Sequence, residues 1–384
     1  MPPADSSVPA PLTAKKEKNK MNFKKLLPVF ALVLVTAGCA DPELTQSQKD
    51  LLAAVRAPEN TALAAKLPEL CAANKENLNF KDPENGQTPL IAAVILNRQD
   101  RVKTIMNSGA EIDVNAQDAK GMTALHYAVG QVSTDTIFLL SGCPAVNLRD
   151  RYGKTPLMEA CRLGNVDMVK AVLKVGDANS YPGRECKVND ADDQGRTPAM
   201  FAAASPRAKQ ILAILAERGV NVNDPYVMDD NAGTVLTHAI DGGNTDVALD
   251  LIAAMFPENI AADPELQYPA LLAMKHAIFA NDVAVVRELI RRKCLLNTDT
   301  HTAYLALRRA KLQNWFKTVV RAGWIRDGKM PLIWAVEAEN PALVQLLLDA
   351  GANPGCKDNG RHLPIEYSRT AEITGMLKKA MRNN

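Results

Sequence analysis

Aromatic residues make up only 5% of the 384 residues, there are five histidines, and the seven cysteines contain no Cys-x-x-Cys pair. Each shortage excludes something. So few aromatics disfavour a sandwich or barrel, whose strands are rich in them. Without close cysteine or histidine pairs a structural zinc site has no ligands, and no metal is expected. The formal net charge is only +2, so the chain lacks the basic balance of a nucleic-acid binder. Gly-x-Ser-x-Gly, Gly-x-x-x-x-Gly-Lys and His-Glu-x-x-His are all missing, and neither a catalytic constellation nor a cofactor is expected. The uncharged apolar run from Leu26 to Ala37 is shorter than the roughly 20 residues that span a bilayer.

What is present is a composition 47% apolar, rich in Ala, Leu and Val, which suits closely packed helices. Residues 1–39 stand apart. Lys24 and Lys25, the apolar run and then Gly38-Cys39 have the order of a charged region, a short hydrophobic region and a small-residue cleavage site. The first 20 residues are superfluous to such a signal, so the start is either Met1 or Met21. Val35-Thr36-Ala37-Gly38-Cys39 resembles the lipobox of bacterial lipoproteins, with Thr36 where that family most often has Leu. The resemblance implies a lipidated Cys39 as the mature N-terminus, with Ala40 after it pointing to the outer membrane. Residues 40–48 then read as a linker and 49–384 as the folded domain.

The decisive feature is a recurring string. Gly86-Gln-Thr88-Pro89-Leu90-Ile-Ala-Ala93 is followed by Gly121-Met-Thr123-Ala-Leu125-His126-Tyr-Ala128, Gly153-Lys-Thr155-Pro156-Leu157-Met-Glu-Ala160 and Gly195-Arg-Thr197-Pro198-Ala-Met-Phe-Ala202. A looser copy begins at Ala232, and the openings are 35, 32, 42 and 37 residues apart. A period in that range means stacked supersecondary units. Thr is a good N-cap and Pro suits the first helical position, so each string opens a helix. A second amphipathic stretch follows, for example Met168, Val169, Val172 and Leu173, and Gly109, Gly176, Gly219, Gly323 and Gly351 close such helices. Degenerate copies run from Leu272 and Thr302, a good one from Met330, and a last one from Leu363 to Leu377 reads as a polar C-terminal cap. Leu51 to Cys71 reads as an N-terminal helix pair without a finger.

These strings resemble the ankyrin repeat, with its Thr-Pro-Leu-His hallmark. The resemblance implies an all-α solenoid of about nine or ten helix-turn-helix units with short finger loops. It also implies that a partner protein binds along the concave face made by the fingers and first helices. Carried onto this sequence, the candidate contact residues are Gln117, Asp118, Arg149, Arg151, Tyr152, Asp192, Asp193 and Tyr226. His126 occupies the family's histidine position, where it bonds the neighbouring backbone and Thr.

Asp190-Ala-Asp192-Asp193-Gln194-Gly195 imitates a calcium loop, yet Phe201 stands where the bidentate Glu belongs, and the stretch aligns with repeat fingers. Over-long fingers at 177–185 and 222–231 are candidate functional loops. Cys143 and Cys186 fall in equivalent loops of adjacent repeats, making a disulfide between them a candidate, whereas Cys161 belongs in the core as a free thiol. Between Gly219 and Met274 there are nine acidic residues and no Lys or Arg; from Lys275 to Lys329 there are twelve basic and four acidic residues. Such segregation serves either a dipolar partner or an intramolecular contact.

The expectation is a non-catalytic, monomeric scaffold of the bacterial periplasm. It touches the outer membrane only through lipid on Cys39 and binds an unidentified protein, with no nucleic acid. The alternatives are an immunity or inhibitor protein that caps a toxin or enzyme, and a cytoplasmic or host-delivered binder if the signal does not work.

Overall fold

The structure, a computed structural model, describes residues 43–131, 144–175, 185–224, 233–299 and 328–383, with 137 and 302 as single positions. Cys39, Cys143, Tyr226 and most of the two long loops lie outside them, as does the unit read from Thr302 to Gly323 apart from Thr302 itself. Among the described residues there are helices and no strands.

The helices come in stacked pairs. α1 (Gln46–Arg56) with α2 (Ala62–Ala65) and α3 (Leu67–Ala73) forms the fingerless cap. Next are α4 (Pro89–Ile95) with α5 (Gln99–Met106), α6 (Ala124–Val129), α7 (Pro156–Leu163) with α8 (Val166–Val175), and α9 (Pro198–Ala203) with α10 (Ala208–Glu217). Then follow α11 (Val235–Asp241) with α12 (Thr245–Met255), α13 (Gln267–Phe279) with α14 (Val283–Arg291), and α15 (Pro331–Glu337) with α16 (Pro341–Asp349). A 3-10 turn, Pro364–Tyr367, and α17 (Ala371–Asn383) close the described chain.

The motif residues explain the elements. Thr88, Thr123, Thr155 and Thr234 are extended N-caps whose hydroxyls accept from the backbone N–H three residues on. Pro89, Pro156, Pro198 and Pro331 take the first helical position, where no donor is lost. The motif alanines Ala93, Ala128, Ala160, Ala202, Ala239, Ala277 and Ala335 are all fully buried. They sit where one first helix meets the next, so only a methyl group fits between the backbones.

A second device links pairs through helix C-termini. Arg101 donates to the carbonyls of Ala54 and Val55, Arg218 to that of Leu173 (3.4 Å), and Arg292 to that of Phe256. A guanidinium here satisfies carbonyls left open at the end of the preceding unit's helix and complements its dipole.

α13 departs from the pattern. It is apolar almost all round, because it meets α11, α14 and α15 at once. Its contact with α15 is direct: Lys275 of α13 places its ammonium 5.6 Å from the Trp334 ring centroid of α15. The matching loops are joined too, since Asn297 Nδ2 donates to the Gly351 carbonyl and the Asn353 N–H donates to Asn297 Oδ1 at 2.7 Å. Asn79 with Glu111 and Asp113, and Asn147 with Glu185 and Lys187, make the same bridge between consecutive units.

Candidate protein-binding face

Each finger is built on one aspartate. The N–H of Asp82, Asp118, Asp150, Asp192 and Asp358 donates to the carbonyl four or five residues on, closing a tight loop. In Asp118, Asp150 and Asp192 the side chain accepts from the backbone N–H groups two and four residues later, at 2.8–2.9 Å. Gly86, Gly121, Gly153 and Gly195 complete the loops at positive φ. The fingers are then stitched together by main chain: Ala119 N–H to Asn85 O, Arg151 N–H to Lys120 O and Asp193 N–H to Tyr152 O, at 3.0–3.1 Å. A Cβ on Gly121 would lie 2.9 Å from the Arg151 nitrogen. Glycine is required there both by φ and by this close approach.

His126 ties the finger row to the first helices. The Thr123 N–H donates to His126 Nδ1, leaving the proton on Nε2 to be donated to the Lys154 carbonyl of the next unit at 3.1 Å. Burial holds its pKa below the ordinary histidine value, which suits a neutral structural clamp.

The sequence candidates divide by what their side chains already do. Asp118 and Asp192 are buried within their own turns; Asp118 also accepts from Tyr127 Oη at 2.6 Å, and Asp192 from Arg196 at 2.8 and 3.0 Å. Gln117 donates to the carbonyls of Gly121 and Arg149, bridging two fingers. Arg149 and Asp193 pair across adjacent fingers at 2.9 Å and remain exposed. Arg151 and Tyr152 project from the same finger, with Tyr152 53% exposed.

Sequence reasoning missed two residues beside them, Lys154 and Phe201. The Lys154 ammonium lies 6.0 Å from the Tyr152 centroid and 5.7 Å from that of Phe201, while Arg196 lies 4.8 Å from Phe201. Both occupy fixed columns of the repeat, the residue before the Thr cap and the fifth residue of the Thr-Pro-Leu string. The same columns bring Lys329 to 4.7 Å from the Tyr367 ring. Reading the string by columns rather than by copies would have found them.

The charge blocks meet within the chain. Glu258 pairs with Arg291 at 2.6 Å and Arg292 at 3.4 Å, and Asp241 with His276 at 2.8 Å. Glu288 accepts from both arginines, and its bond to Arg291 is the main cause that lowers its pKa to about 2. Of the two readings of the segregation, the described residues supply the intramolecular one. Cys161 is a fully buried free thiol, with burial pushing its pKa well above the ordinary value. Among the described residues no group of three His, Cys, Asp or Glu could hold a metal ion.

Comparison with known families matches ankyrin repeats in three copies to residues 51–145 and 131–226, and a single ankyrin repeat to 327–359, together just over half of the chain. Human Rabankyrin-5 is 30% identical over 177 residues, 45% of this chain and 14% of that protein. Human SH3 and multiple ankyrin repeat domains protein 2 is 41% identical over 90 residues, 22% of this chain and 5% of that protein. The probable 26S proteasome regulatory subunit p28 of Saccharomyces cerevisiae is 25% identical over 173 residues, 44% of this chain and 71% of that protein. The chain spans only a small part of the two human relatives. The matched repeats, their Thr-capped first helices and their Asp-Gly fingers place the chain in the ankyrin-repeat family.

Proposed function

We propose that this chain is a non-catalytic protein-binding scaffold of the bacterial cell envelope, tethered by lipid on Cys39 and holding a partner along the face made by its fingers and first helices. The observation that carries the binding role is the finger row itself. Its turn aspartates Asp118, Asp150 and Asp192 and Gln117 are consumed in fixing the loops, while Arg149, Arg151, Tyr152 and Asp193 stand exposed on that rigid frame. Pre-fixed side chains lose little entropy on association, and Tyr and Arg are the residue types that most often anchor an interface. The relatives support the same direction, one being by name a proteasome regulatory subunit. The envelope location rests on the sequence of residues 21–39 alone.

A photo-crosslinking side chain placed at Tyr152, with Gln210 on α10 as the control, tests the face. An adduct with one protein from Tyr152 and none from Gln210 is the expected result, and the reverse pattern overturns it. For the tether, intact mass of the native protein should show a chain starting at lipid-modified Cys39 that partitions with membranes. A soluble chain starting at Met1 or Met21 would remove the envelope from the reading and leave the scaffold.

A further inference from the structure

We infer that the finger face between residues 149 and 201 takes an acidic, extended segment of the partner protein, a deepening that rests on the scaffold reading above. Four cations converge there: Arg149, Arg151, Lys154 and Arg196. Two are already matched, Arg149 by Asp193 and Arg196 by Asp192. The other carboxylates of the patch are committed elsewhere. Asp150 accepts from the Tyr152 and Lys154 N–H groups, and Glu159 is held by Arg162 at 2.6 and 2.9 Å. Arg151 and Lys154 have no salt-bridge partner among the described residues.

Both are held in place without a carboxylate. The Arg151 guanidinium sits 4.7 Å from the Tyr152 centroid and donates to Tyr152 Oη at 2.7 Å. Lys154 lies within reach of both the Tyr152 and Phe201 rings. Ring faces fix a cation while leaving most of its N–H donors open, all of them on Lys154 and all but the one given to Tyr152 Oη on Arg151, which is the arrangement that receives a carboxylate from outside. A nucleic acid fits less well. Phe201 is buried, so among the described residues Tyr152 is the one exposed ring here, and single strands need successive platforms for successive bases. Spacing also favours a chain laid along the row, since the two donors stand on one finger and the rings belong to adjacent repeats.

The test is fluorescence anisotropy of the full chain with a short fluorescein-labelled peptide of alternating glutamate and alanine. An oligothymidine of similar length serves as the competing probe. The peptide should bind the native protein, and Arg151→Ala with Lys154→Ala should weaken it about tenfold. Removing the same charge from second helices, Lys103→Ala with Lys170→Ala, should leave it unchanged. No measurable peptide binding, equal loss in both double variants, or tighter oligothymidine binding through Arg151 and Lys154 overturns the inference. An adduct at Tyr152 in cells, alongside failure of the peptide, leaves the scaffold standing and removes the acidic segment.

Discussion

Between Asp82 and Arg196 neighbouring repeats are joined finger to finger, whereas between Phe256 and Arg292 a cluster of charged side chains is added to a single main-chain bond. In the first region each finger closes on its own aspartate and hands one backbone hydrogen bond to the next. In the second there is no such finger among the described residues. A short 3-10 turn, Ile260–Ala262, takes its place, with Ile260 N–H donating to the Arg292 carbonyl and Gln267 Nε2 donating to that of Ile260. Arg292, Arg291, Glu288 and Glu258 form the rest of the joint. The buried alanine column runs through both regions unchanged, so the fold is specified by the stacking surface and tolerates two ways of binding its edge.

The comparison breaks most sharply at Arg292, whose side chain is 8% exposed. Arg292→Ala strands the Phe256 carbonyl and leaves Glu288 with one partner fewer, which should cost about 3 kcal/mol in urea unfolding. Replacing both members, Arg292→Met with Glu288→Met, should recover part of that loss, because two apolar side chains refill the space while the Phe256 carbonyl stays unpaired. A double variant no more stable than Arg292→Ala would mean that the joint depends on the ions themselves.

In the finger region the corresponding weak point carries no charge. Gly153 has φ +76°, and a Cβ there would come within 2.6 Å of the Asp193 nitrogen that bonds the neighbouring finger. Gly153→Ala should cost about 2 kcal/mol from the left-handed backbone and the displaced finger. Hydrogen exchange should then quicken at Asp193 and leave Ile260 as it was. Equal effects at both amides would show that the two joints fold as one unit.

Acid should separate the joints in order. The folded pKa of His126 is depressed, so its contribution is present above the unfolded value of about 6.5 and is lost as pH falls below it. Glu288 is also depressed, and its contribution is complete above about pH 4.5 and lost as pH falls toward its folded value of about 2. Removing the clamp by His126→Ala should cost about 1–2 kcal/mol at pH 8. The gap from the native chain should narrow by pH 5, before the Glu288 joint weakens. A gap independent of pH would mean that His126 is not held neutral by the fold.

These differences explain what the sequence made legible. A finger depends on particular residues at particular φ, and so Asp-x-x-Gly and Thr-Pro-Leu leave a written period. The charge joint depends on groups 30 or more positions apart, the Glu258 carboxylate with Arg291 and the Phe256 carbonyl with Arg292, and leaves only a block asymmetry with two possible meanings. The same reason hid the face. Tyr152 is reached by carrying over the ankyrin finger positions, but Lys154 and Phe201 become neighbours only when two repeats are stacked. The direct meeting of α13 with α15 was hidden too, because the two helices are far apart in the chain and no spacing of the repeat string announces their contact.

The smallest effect falls on a residue that conceals the period. Where second helices end, Gly109, Gly219 and Gly351 take positive φ, and in the degenerate unit Lys293 does so at φ 60°. The turn chemistry is the same: Lys293 N–H donates to Ile290 O and Cys294 N–H to Leu289 O, as Gly351 N–H does to Leu348 O and Ala352 N–H to Leu347 O. Lys293 is exposed, so its side chain offsets little of the left-handed cost. Lys293→Gly should therefore stabilise the chain by about 0.5–1 kcal/mol, the strain relieved exceeding the added freedom of the unfolded state. Thermal unfolding of this variant beside Gly351→Lys gives the sign directly, since the reverse substitution should destabilise by a similar amount. If Lys293→Gly is neutral or harmful, the turn is held by the arginine joint at 291–292 rather than by its own backbone preference, and the two regions differ in their turns as well as in their edges.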